Sequence, residues 1–107
     1  MFNIKKTGEG YYLATMETSQ SVLRRVECTH LKHALSEVIK PHREISINIK
    51  GIRSIEKEGY RILEELARRA DQKNCRLRFI NVDPQVSQAI TKLSEKKVQL
   101  QDEFEKI

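Results

Sequence analysis

Apolar residues along this chain change their spacing several times, and each change marks an element. Residues 2–6, "FNIKK", alternate apolar and polar positions, and "TGEG" then turns the chain into "YYLATM", so the first segment reads as a hairpin. Leu31, Ala34, Leu35, Val38 and Ile39 recur at the spacing of an amphipathic helix, which Pro41 is expected to end. The period then falls to two. Ile45, Ile47 and Ile49 face one way while Ser46, Asn48 and Lys50 face the other, as in a strand covered on one side. Gly59, Ile62, Leu63, Leu66, Ala67 and Ala70 form a second helical stripe, with Gly59 on its buried face, where a missing side chain lets the helix start approach the sheet. "CRLRFINV" is another one-faced strand, with Cys75, Leu77 and Phe79 inward and Arg76 and Arg78 outward. In "DPQVSQAITKL", Asp83 as N-cap and Pro84 as first helical residue open a helix whose buried side carries Val86, Ala89, Ile90 and Leu93. "VQLQDEF" supplies a last short strand. Residues 17–28 fit no period well: Val22, Leu23 and Val26 share a helical side, but the phase breaks before Leu31, leaving a strand end, an irregular loop and an extra turn all open.

The resulting order is β-β-α-β-α-β-α-β. Strands alternating with helices imply right-handed crossovers, hence an α/β fold with a mainly parallel, five-stranded mixed sheet and an antiparallel hairpin at its N-terminal end. One-sided strands put the helices mainly on one face. At 107 residues the chain is expected to form one domain, 1–107, in which folding hides roughly 65% of the unfolded surface around a single core. Its apolar runs fall far short of the ~20 residues needed to span a bilayer, and "MFNIKKTGEG" lacks a secretory apolar segment, so a soluble cytoplasmic chain is expected. In that compartment Cys28 and Cys75 read as small buried hydrophobes rather than a bridge.

Charge refines the picture. Twenty Lys and Arg against 15 Asp and Glu leave a formal charge of +5, which permits nucleic acid or an acidic partner and requires neither. Glu64 with Arg68, and Glu65 with Arg69, stand at i,i+4 in the favourable orientation and read as a solvated face, about 0.2–0.5 kcal/mol per pair. No nucleophile elbow or phosphate loop occurs and the four glycines are scattered, so neither an enzyme nor a cofactor is expected. "CTHLKH" brings Cys28, His30 and His33 close in sequence, but Cys28 is expected to precede the helix and no fourth ligand is evident; solvated histidines are the better reading than a metal site. Lys50, Arg76 and Arg78 on an open sheet face would suit RNA only with aromatic side chains for base stacking, which neither of these strands offers outward. They read instead as charges that keep an uncovered sheet in solution.

The order of elements, with "INIKGIRSI" leading into a glycine-bearing helix, resembles the STAS domain shared by bacterial anti-sigma factor antagonists and sulfate transporters. "THLKHALSEVI" is similar to its first helix, "EISINIKGIRSIEKEGYRILEELARRA" to its central strand and switch helix, and "CRLRFINVDPQVSQAITKL" to the following strand and third helix. Residues 17–28 lack the glycine and aspartate that often close the second strand in that family. The family's turn before the second helix usually reads Asp, Ser, Ser, Gly, Leu, with a serine that a partner kinase phosphorylates to switch binding off. Glu56, Lys57, Glu58, Gly59 and Tyr60 stand at those positions here: the glycine is kept and both serines are replaced. Ser54, the nearest hydroxyl, lies upstream of the match. The resemblance therefore implies a bacterial, cytoplasmic protein-binding module of transcription regulation that is not phosphorylated at this turn. Its expected partner is a regulatory protein such as an anti-sigma factor or a kinase-like ATPase, docked through Glu56, Lys57, Glu58, Gly59 and Arg61. Glu58 either stabilises the helix start, by about 0.3–1 kcal/mol through the helix dipole, or mimics one switch state. Two alternatives stand beside this reading: a STAS accessory subunit of a membrane transport ATPase, and a basic nucleic-acid-binding domain.

Overall fold

The structure, a computed structural model, describes residues 2–16 and 21–93. Strands β1 (Phe2–Gly8) and β2 (Tyr11–Met16) form the expected hairpin, closed by Gly10 at φ +79°, a left-handed conformation that glycine adopts without strain. Strands β4 (Glu44–Asn48) and β6 (Arg76–Ile80) continue the sheet in the order β1-β2-β4-β6. The β1–β2 pairing is antiparallel, whereas β2–β4 and β4–β6 are parallel. The mixed, mainly parallel sheet is thus present with four strands. The fifth strand, expected within "VQLQDEF", lies outside the described residues.

One face of the sheet is apolar. Ala14, Ile45 and Ile47 are completely buried and join Leu31 and Leu35 of helix α1 (Arg25–Leu35) and Leu63, Leu66 and Ala70 of helix α2 (Lys57–Gln72) in one core. The helical turns at 87–93 contribute Leu93 to it, and Val86 just before them does the same. Asp83 and Pro84 do not open that helix as expected: residues 84–86 form a turn of their own, closed by Val86 N–H on Asp83 O at 3.0 Å, and the Asp83 carboxylate accepts the Gln85 N–H at 2.9 Å within it, four residues before the helix begins. On the other face Glu44 lies 3.5 Å from Arg78 and 4.0 Å from Arg76, so those arginines share a carboxylate. Lys50 departs from the expectation: it lies past β4, in the turn with Gly51. The outward aromatic missing from β4 and β6 is supplied by the neighbouring β2, where exposed Tyr11 pairs with Glu44.

The segment that fits no period resolves into two pieces. Val22–Leu23 is a short strand, β3, parallel to β5 (Ser54–Ile55), and α1 starts immediately afterwards at Arg25. Helix α1 therefore begins before Cys28 rather than after it. Two residues of ladder are too few to show a period of two, and the helix start that follows lacks a small hydroxyl cap. Its C-terminus also differs: the helix stops at Leu35, six residues short of Pro41, as Ser36 N–H and Oγ both turn back to the His33 carbonyl. Val38 and Ile39 keep their inward positions in the turn that follows, with Ile39 N–H still bonded to Leu35 O at 3.0 Å.

Helix α2 ends in a Schellman motif. Asn74 takes φ +59°, Cys75 N–H reaches Ala70 O at 2.8 Å and Asn74 N–H reaches Asp71 O at 3.1 Å. This reversal seats Cys75 in the core and aims the chain into β6.

Candidate functional site

The turn between β5 and α2 is built by backbone bonds to the β3 segment. Ile52 is buried below it, Arg53 N–H and Ser54 N–H both reach Ser21 O, at 2.7 and 3.2 Å, and Glu56 N–H reaches Leu23 O at 2.9 Å. Glu56 then serves as N-cap with an extended backbone, and its carbonyl accepts the Tyr60 N–H at 2.8 Å, the first bond of the helix. Its side chain caps nothing. Glu56, Lys57, Glu58 and Arg61 are all exposed, and Gly59 is the buried residue among them. All five residues expected to bind a partner thus lie within one and a half turns at the start of one helix.

Gly59 is buried by a neighbour other than the expected one. A Cβ there would stand 3.0 Å from the Leu23 carbonyl oxygen, 3.2 Å from Cys28 Sγ and 3.3 Å from the Arg24 carbonyl carbon. The close approach is therefore to β3 and the start of α1, not to the main sheet. The absent side chain lets the two helix starts touch.

Arg24 and Glu27 hold the α1 side of that contact. The buried Glu27 carboxylate accepts the Arg24 backbone N–H at 3.0 Å and two guanidinium bonds at 3.0 and 3.2 Å. These bonds from Arg24 outweigh burial and keep the Glu27 carboxyl below its ordinary range. Sequence reasoning missed this pair. The spacing Arg-x-x-Glu is the only signal, and it differs from the usual capping box in having Arg where Ser or Thr is common.

Burial, with help from the negative charges of Glu27 and Glu56, pushes the Cys28 thiol up to about 12. It stays protonated at neutral pH, a poor nucleophile and a poor ligand. His30 and His33 are exposed on α1 while Cys28 points into the seam, so these three residues do not converge. The i,i+4 partner expected for Glu65 is displaced as well: its carboxylate accepts from Lys32 Nζ of α1 at 2.8 Å, tying the outer edges of α1 and α2 together.

Comparison with known proteins bears on what such a turn is for. The family model of the STAS domain matches residues 14–106. The chain belongs to the STAS domain family. STAS domains are in general non-enzymatic interaction modules, commonly of the anti-sigma factor antagonist type, and bind regulatory partners. Among solved structures, the one described as "Crystal Structure Analysis of Mglu" matches 77% of this chain at 18% identity with a TM-score of 0.63. At that identity the likeness is one of fold. The match occupies 20% of the Mglu chain, so this STAS domain spans about a fifth of that protein's length. A second structure, "Crystal Structure Analysis of Mglu in its native form", covers 71% of this chain at 16% identity and a TM-score of 0.49. No curated protein matches the sequence. Among the described residues, no helix of this STAS domain is long and apolar enough to cross a membrane.

Proposed function

We propose that this STAS domain is a non-catalytic docking module of the anti-sigma factor antagonist type, working in the cytoplasm in transcription regulation. Its partner is a regulatory protein such as an anti-sigma factor or a kinase-like ATPase. Glu56, Lys57, Glu58, Gly59 and Arg61 form the contact.

One observation carries the reading: four charged side chains are displayed on a turn whose backbone is fixed to β3 and whose single buried member, Gly59, packs onto the start of α1. A preformed surface of this kind binds without losing much backbone freedom. Lys57 and Glu58 occupy the positions where the family's serines stand, so binding is not switched by phosphate at this turn. Glu58 instead supplies a permanent single negative charge near the helix N-terminus, where the dipole favours it. The nucleic-acid alternative is weakened by Glu44, which neutralises part of the Arg76 and Arg78 charge on the open sheet face.

The test is capture of partners from the protein's own host with charge-reversed variants. Arg61→Glu and Lys57→Glu are expected to lose the partner while their unfolding midpoints stay within experimental error of the parent. Lys92→Glu, on the exposed side of the third helix, is expected to retain it. Normal capture by both turn variants together with loss in Lys92→Glu would place the contact elsewhere.

A further inference from the structure

Glu27 is the one charged side chain buried among the described residues, and it belongs to α1, outside the docking turn. Its carboxylate accepts the Arg24 N–H at 3.0 Å and the Arg24 guanidinium at 3.0 and 3.2 Å. The Arg24 N–H shares its peptide group with the Leu23 carbonyl. That carbonyl accepts the Glu56 N–H at 2.9 Å, and it is the atom that a Cβ at position 59 would approach most closely, at 3.0 Å. A single peptide plane therefore carries Glu27 on one edge and the start of α2 on the other.

A trans peptide is planar, with N–H and C=O pointing in opposite directions, so whatever fixes the first aims the second. A charged acceptor on the N–H also polarises the group and strengthens the bond its carbonyl accepts. The α2 start depends on that carbonyl. The Glu56 side chain caps nothing, and the other two backbone bonds from the turn, from Arg53 N–H and Ser54 N–H, both end on Ser21 O ahead of β3. The Arg24 guanidinium is held above its ordinary value by its bonds to Glu27 and then by the Glu27 charge, with Glu56 a smaller cause in the same direction. By taking the guanidinium in two bonds, Glu27 keeps it from Glu56 and leaves that carboxylate exposed in the turn.

We propose that Glu27 is a positioning residue of the β5–α2 turn: through the Leu23–Arg24 peptide it aims the carbonyl that holds Glu56 N–H, so the shape of the turn is set by a buried carboxylate of another helix. The consequence for binding rests on the docking reading of that turn; the geometric consequence does not. If Glu27 only capped α1, its loss would loosen the first turn of α1, where Cys28 N–H reaches Arg24 O at 3.1 Å, and leave the α2 start as it was.

Native-state amide hydrogen exchange of the full chain, read by NMR, tests this in the parent, Glu27→Gln, Glu27→Ala and Asp83→Ala. The readout is the protection of Glu56 N–H divided by that of Ile47 N–H in the centre of the sheet, which removes any change in global stability. In Glu27→Ala the ratio is expected to fall about tenfold or more. In Glu27→Gln, whose neutral oxygen can still accept the Arg24 N–H but more weakly, it is expected to fall about threefold. Asp83→Ala, in the turn before the third helix, should leave the ratio at the parental value. An unchanged ratio in Glu27→Ala, with Cys28 N–H alone losing protection, would reduce Glu27 to a cap of α1. An equal fall in Asp83→Ala would mean that any destabilisation loosens the turn, and would also overturn the proposal. Should Glu27→Ala fail to fold, Glu27→Gln decides, and a parental ratio there counts against it. No partner is needed for this measurement, so the docking reading fails separately, if the parent chain captures no protein from its own host. Where the parent does capture one, Glu27→Ala is expected to retain at most about a third of it, and full capture by a loosened turn would deny Glu27 a part in docking.

Discussion

A methyl group at position 59 would press on a backbone oxygen, which cannot swing aside as the end of a flexible side chain can. In an unobstructed helix, replacing glycine by alanine gains roughly 0.5–1 kcal/mol. Here overpacking of about 1–3 kcal/mol works against that gain. Gly59→Ala is therefore expected to be destabilising on balance and Gly59→Val more so, whereas Lys57→Ser on the exposed side should stay within about 0.5 kcal/mol of the parent. Urea unfolding of the three variants checks the order, and a stabilised Gly59→Ala would show that the helix starts are not in contact. Gly59's burial is legible from the helical stripe, but its neighbour is not: Leu23 and Cys28 come to it from more than 30 positions away in the chain. The same contact hides Cys28. With its thiol pushed up to about 12, Cys28 is expected to resist alkylation by iodoacetamide at neutral pH in the folded protein and to react only on unfolding, as peptide mass mapping would show.

At the scale of elements, the long periodic segments are readable and the short ones are not. Helix α2 and strands β4 and β6 repeat their apolar positions often enough to declare a face, whereas β3 and β5 span two residues each and exist because they pair. Helix α1 shows a different difficulty. Its start depends on an arginine held by Glu27, a pairing that a search for small hydroxyl caps passes over. That pair has a pH signature. The folded Glu27 carboxyl lies below its ordinary value of 4.5, so the unfolded chain binds the proton more tightly. Its contribution is complete above the ordinary value and is lost as pH falls through the depressed one. Glu65, held down by Lys32, acts in the same sense, though it is exposed and contributes less. Urea midpoints measured between about pH 6 and pH 3 are expected to fall with acidification, and to fall less steeply in Glu27→Gln, which keeps an oxygen for the Arg24 N–H. Equal slopes would mean that the pair does not persist in solution. In the turn before the third helix, Asp83→Ala removes the acceptor of the Gln85 N–H and is expected to cost about 0.5–1.5 kcal/mol in the same unfolding measurement.

For the whole molecule, the serine-free turn before α2 predicts the covalent state of the protein. Intact-mass measurement of protein from its own host is expected to show no phosphate on residues 54–60; a stoichiometric phosphate mapped there would overturn the fixed-surface reading. The local chemistry of that turn is written in the sequence, because adjacent residues of one helix start stay together however the rest folds. So are the one-faced strands, the helical stripes and the α/β order they compose, since periods of two and 3.6 follow from backbone geometry alone. The tertiary structure decided what lies next to what. It set the sheet order β1-β2-β4-β6, turned Glu65 toward Lys32 instead of Arg69, gave Arg76 and Arg78 a common partner in Glu44, and drew the start of α1 against Gly59. Contacts of this kind join residues tens of positions apart, and they depend on shape complementarity between surfaces that form only when the chain packs. A local period specifies which face of an element is buried, but not which other face covers it.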